Sequence, residues 1–227
     1  MAAPSLLLLL ADGRFPAGAH AHSGGLEAAV AARRVTDLAT LAAFLRGRLA
    51  TAGLVGATFA AAAHRAAPAA DRRARLARLD TELDARTAAP ALRAVSRRQG
   101  RALLRAGRTI WPHIPFADLP GAGGGPHQPL VLGLLGAAAG LDRTETALAA
   151  AYGTVTAAAS AGVRLLGLDP YHVHALLVDL AGACDATARD AADAADGPPE
   201  DLPAVAAPLA DIHAEVHATW EVRLFAS

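Results

Sequence analysis

Apolar residues recur at three- and four-residue intervals along almost the whole chain, and alternating runs of β-branched residues are missing. That spacing lines apolar side chains along one face of a 3.6-residue-per-turn helix and leaves no segment that reads as a half-buried strand. The expected fold is therefore all-α, a single-domain helical bundle of about eight to ten helices. With 53% hydrophobic residues in 227, such a chain can bury a substantial core.

Boundary signals divide the pattern. The leucine-rich opening, MAAPSLLLLLADGRF, has no basic residues before its apolar run and is broken at Asp12, so it is expected to be a buried first helix rather than a secretory signal. Leu26 and Val30 begin a helix face after Ser23, Gly24 and Gly25. Thr36 or Asp37 caps the next helix, on which Leu38, Leu41, Leu45 and Leu49 share a stripe. Gly53 is expected to separate this from a small-residue helix through Val55, Phe59 and Ala63 that Pro68 ends. Leu76, Leu79 and Leu83 mark a more polar helix stopping before Pro90.

From Ala91 the chain reads ALRAVSRRQGRALLRAGR, with Leu92, Val95, Gln99, Ala102, Leu103 and Ala106 expected inward and Arg93, Arg97, Arg101 and Arg105 forming an opposite stripe. Residues 112–129 hold five prolines and four glycines, which predicts a surface loop. Two apolar helices follow, from about Leu130 to Ala139 and from about Asp142 to Leu166, the second opened by an Asp142/Glu145 capping box. Asp169 and Pro170 start another helix, buried along Val173, Leu176, Leu177, Leu180 and Cys184. Gly197, Pro198 and Pro199 stop it, residues 197–208 are expected to be flexible, and a short last helix starts near Leu209.

Charge narrows the function classes. The net charge is zero, so nothing global draws the chain to nucleic acid or an anionic membrane. All 21 basic residues are arginine, which removes Schiff-base chemistry and a P-loop lysine, so the glycines at 121–125 are not a nucleotide loop. A single cysteine, Cys184, excludes an intrachain disulfide and a multi-cysteine zinc site and fits a reducing cytoplasm. Residues 146–163 carry no charge, but they are mostly Ala, Gly, Thr and Ser, which suits a close-packed core helix better than a membrane span. Residues 91–108 hold six arginines and no acid, whereas residues 179–201 hold seven acids and one arginine. The arginine stripe is either a solvated face or a surface for an acidic protein partner.

No catalytic constellation emerges. His20 and His22 lie one residue apart in a glycine-rich stretch. Two imidazoles can meet one nickel or zinc ion, but two ligands do not close a site, and the competing reading is a helix start capped by His22 or Ser23. His213 and His217 share a helix face, yet HAEVH lacks the glutamate beside the first histidine that a zinc-protease helix requires, and surface histidines are the plain alternative. His172 and His174 point apart on their helix. There is no GxSxG, and Cys184 on an apolar stripe is expected to be inert.

Four stretches resemble one family. Leu10, Pro16, Gly18, His22, Ser23, Gly25, Leu26 and Glu27 are similar to the N-terminal signature of the urease accessory protein UreF family. SRRQGRALL at 96–104 resembles its Ser, Gly-Arg and Leu-Leu helix, and SAGVRLLGL at 160–168 its small-residue helix with an arginine-leucine pair. Arg223, Leu224, Phe225 and Ser227 match its RLF-x-S ending. The resemblance implies a non-enzymatic, cytoplasmic scaffold, often a homodimer, that bridges UreD (also called UreH) and the GTPase UreG to support nickel insertion into apo-urease. It implies partner-binding roles for His22, Ser23, Gly25, Glu27, Arg97, Gly100, Arg101, Arg164, Arg223, Leu224, Phe225 and Ser227. The tail is then a mobile segment that orders on UreD/UreH, with Phe225 as apolar anchor. No tightly bound cofactor is implied, only nickel in transit. The alternative is a nickel-binding metallochaperone using His20 and His22.

Overall fold

The computed structural model describes residues 4–16, 21–121 and 124–225. Among these the chain is all-α, with helices α1 (Pro4–Ala11), α2 (Leu26–Ala31), α3 (Leu38–Arg48), α4 (Leu54–Ala66), α5 (Arg72–Arg86), α6 (Pro90–Ile110), α7 (Gln128–Ala138), α8 (Arg143–Leu166), α9 (Pro170–Ala194) and α10 (Pro208–Ala218). The starts follow local chemistry. Asp37 and Thr40 form a reciprocal capping box on α3, Asp142 and Glu145 do the same on α8, and Asp169 accepts from the Tyr171 amide ahead of Pro170 on α9.

Helix α4 is the centre, packed against α5, α7, α8 and α9. Alanines dominate its interior side, with Ala57, Ala60, Ala61 and Ala63 inaccessible to solvent alongside buried Val55, Thr58 and Phe59. Small residues let neighbouring backbones approach closely: a Cβ at Gly133 of α7 would sit 2.4 Å from the Ala60 carbonyl oxygen and 2.6 Å from the Ala63 Cβ. The uncharged stretch of α8 likewise packs on α4, α7 and α9. By length and composition alone, Leu38–Ala66 and Arg143–Leu166 are long and apolar enough to cross a bilayer, and half of the most apolar stretch of the second is buried inside the fold.

Several expectations are corrected. Gly53 does not separate two helices: α3 and α4 are joined through a π turn at Leu49–Gly53 into one rod, Leu38–Ala66. Gly53 keeps helical torsions (φ −64°, ψ −50°) within that rod. Helix α1 is not buried. Five consecutive leucines surround the helix, only one face meets α8, and Leu8 stays 72% exposed. The proline-rich loop is anchored by buried Trp111, Phe116 and Leu119, and its end at Gln128 and Pro129 already belongs to α7. Residues 199–203 are held as well. The Arg86 guanidinium donates to the carbonyl oxygens of Pro199, Glu200, Leu202 and Pro203, and Leu202 is buried.

Candidate functional site

The residues singled out by sequence gather in two places. The first joins the two ends of the chain. Gly25 precedes α2 with φ 88°, a left-handed torsion that favours glycine, and Ser23 Oγ accepts from the Glu27 amide at 3.2 Å. This seats Glu27 with its side chain only 9% exposed. Its carboxylate accepts three hydrogen bonds: from His217 Nε2 of α10 at 3.0 Å, from the Leu224 amide at 2.8 Å and from the Phe225 amide at 3.0 Å. A buried carboxylate needs such donors, and here it uses them to dock the tail.

Phe225 is buried, with the Arg164 guanidinium carbon 4.5 Å from its ring centroid, a cation–π contact. His217 also packs against Trp220, ring centroids 4.7 Å apart. The RLF ending is thus folded onto its own chain, which corrects the picture of Phe225 as a free anchor and of the tail as unattached. Arg223 and Leu224 remain exposed, Leu224 at 74%. His217 is corrected from surface residue to the innermost polar group of α10, because its helix face meets α2.

The second cluster is built on α6. Arg97 was expected on the solvent stripe, but it is buried. Its Nη2 donates to Asp80 Oδ2 at 3.0 Å and Asp84 Oδ2 at 2.7 Å, and its Nη1 to Asp80 Oδ1 at 3.2 Å and the Gly125 carbonyl at 2.5 Å. His127, fully buried, places Nδ1 2.9 Å from Ser96 Oγ and Nε2 2.9 Å from Asp84 Oδ1. Gly100 lies against the Pro126 backbone, and Arg101, though exposed, donates to the Gly124 carbonyl. The SRRQGR motif therefore pins the proline- and glycine-rich loop onto α5 and α6.

Burial tends to raise the Asp84 carboxyl, but hydrogen bonds and charge from His127 and Arg97 outweigh it and hold it below the usual range. Burial pushes the His127 imidazole down, against the pull of Asp84, so the ring is neutral near neutral pH. Burial, with a smaller effect from the Asp185 charge, pushes the Cys184 thiol up, as expected of an unreactive side chain.

His22, Ser23 and Glu27 are buried, as are Arg97 and Gly100, whereas Arg101, Arg164, Arg223 and Leu224 reach solvent. Gly18, His20 and Ser227 lie outside the described residues, so the His20/His22 pair has no geometry here. Among the described residues no three His, Cys, Asp or Glu side chains gather as metal ligands. Sequence reading missed Asp80 and His127. A signal existed for Asp80, an acid one residue beyond Leu79 and three before Leu83 on a buried stripe, but none for His127 inside a loop.

The motif residues of this helical fold tie its ends and its loop together and leave Arg101, Arg164 and Arg223 at the surface. Residues 35–181 match the family model for UreF. Over the full length of both chains it is 45% identical to the urease accessory protein UreF of Mycolicibacterium vanbaalenii. It is 47% identical to that of Mycobacterium sp. strain JLS over 97% of each chain, and 46% identical to that of Mycobacterium tuberculosis over 84% of this chain and 86% of the other. The chain belongs to the UreF family of urease accessory proteins, with a role in urease maturation.

Proposed function

We propose that the chain is a cytoplasmic homodimeric scaffold that bridges UreD/UreH and UreG and supports nickel insertion into apo-urease, with no bond made or broken on it. The observation that supports this best is the meeting of three of the four family stretches, the α2 start, Arg164 and the RLF tail, at one end of the bundle. Docking by Glu27 leaves Arg223 and Leu224 exposed next to Phe225, on whose ring the exposed Arg164 stacks, and such a mix of apolar and cationic side chains suits a partner with acidic and apolar groups. Arg101 and Arg105 of the α6 stripe, with the neighbouring exposed Arg108, offer a second surface, assigned here to UreG. Nickel passes through the assembly without a tight site on this chain.

The test is co-purification. Arg223→Ala with Leu224→Ala removes two exposed side chains, so helix content and melting temperature should stay at wild-type values while UreD/UreH is no longer retained. Retention at wild-type levels removes the tail from the mechanism.

A further inference from the structure

The outward face of α9 carries side chains that the fold leaves without a use. Tyr171 is 86% exposed and Val178 74% exposed, on a helix whose other side packs against α3, α4 and α8. They are spaced two helical turns apart, so they stand nearly in line along the helix. Gly182 continues the line, exposed and with nothing within 4 Å of where its Cβ would stand. Within a single chain an alanine there would only strengthen the helix, so the notch serves no packing inside this molecule. Exposed Arg189 ends the line. Large apolar side chains beside bare backbone are what allow a second helix to pack closely.

The spacing says which helix. From Tyr171 to Val178, Gly182 and Arg189 the intervals are seven, four and seven residues, the same read from either end. A second α9 running antiparallel, about a two-fold axis level with Leu180, therefore brings Val178 of each copy over Gly182 of the other and Tyr171 of each beside Arg189 of the other. In the first pair bulk meets a notch, and in the second an aromatic ring meets a guanidinium. On one edge the same register sets exposed His174 of one copy near exposed Asp185 of the other. Asp179 and Asp190 lie about 80–100° further round the helix, clear of the contact. Parallel copies would instead set Arg189 against Arg189 and leave the notches facing each other empty. The charged second half of the face, with Asp185, Arg189 and Asp193, does not suit a purely apolar neighbour such as a lipid surface.

We propose that the face of α9 from Tyr171 to Arg189 is the surface on which two copies of this chain pair, antiparallel, about a two-fold axis at Leu180. The inference rests on the homodimer of the proposed function and deepens it by naming the face.

Sedimentation velocity of the purified chain over about 1–100 µM tests it. The wild type should form a dimer within that range. Val178→Asp sets an acid against the opposite backbone and should raise the dissociation constant at least about tenfold. Its helix content should not change, because Val178 is exposed in the single chain. Tyr171→Arg should weaken the dimer similarly, and adding Arg189→Tyr should restore it, since the exchanged pair meets only in the antiparallel register. Ile212→Asp, at an exposed position on α10, should leave the dimer as it is. A dimer unmoved by Val178→Asp overturns the α9 face and leaves the homodimer standing. A wild-type chain that stays monomeric throughout overturns both. No recovery in the exchanged double variant overturns the antiparallel pairing. Retention of UreD/UreH, read with the Arg223 and Leu224 variant, is independent of all three outcomes.

Discussion

Gly100 sits in the middle of α6, where an alanine would ordinarily stabilise the helix by about 1 kcal/mol. Here the structure reverses the sign. A Cβ at this position would lie 2.0 Å from the Pro126 carbonyl oxygen and 3.0 Å from the carbonyl carbons of Pro126 and His127. A carbon–oxygen contact needs about 3.3 Å, so Gly100→Ala must push the loop off α6 by roughly 1 Å or more. The obstacle is backbone, which cannot rotate away as a side-chain tip would. The displacement also stretches the His127–Ser96 and Arg97–Gly125 hydrogen bonds, each contributing about 1 kcal/mol, on top of about 1–3 kcal/mol of overpacking strain. After subtracting the propensity gain, the expected net loss is at least about 2 kcal/mol. Gly182, in α9 with nothing within 4 Å of its hypothetical Cβ, is the control: Gly182→Ala should gain up to about 1 kcal/mol. Urea unfolding of both variants followed by circular dichroism gives the comparison. A Gly100→Ala protein as stable as wild type would refute the claim that α6 and the loop are in backbone contact.

Two further outcomes follow from the buried clusters. Glu27→Gln replaces one acceptor oxygen by a donor facing His217 and the tail amides. Hydrogen exchange at Leu224 and Phe225 should rise sharply, helix content should persist, and stability should fall by about 1–3 kcal/mol; unchanged exchange would show that another contact holds the tail. His127 has a folded-state pKa depressed by burial, so its contribution is complete above the unfolded value of about 6.5 and is lost as pH falls below it, because the unfolded chain takes up a proton that the folded chain refuses. Asp84, also depressed, adds a loss only in more acidic solution, below about pH 4. Wild type should therefore lose more stability than His127→Gln between about pH 7.5 and about pH 5.5, and equal losses would contradict a neutral buried ring.

The sequence by itself determined the helical class, most helix starts and the apolar stripes, because caps, prolines and 3.6-residue spacing act within a few residues of where they are written. Asp37, Asp142 and Asp169 cap the helices their positions announce. It also carried the family likeness, since the motif residues are legible one by one. Only the tertiary structure decided what those residues do for the fold. Arg97 and Arg101 belong to one stripe by spacing, yet one is buried between two aspartates and the other lies outside on a glycine carbonyl, because α5 and the loop cover just part of α6. Glu27 and Phe225 stand 198 residues apart, and no local rule connects a carboxylate at one end to two amides at the other. Burial and pairing are set by contacts distant in sequence, so the sites that matter most here became visible only once the chain had closed on itself.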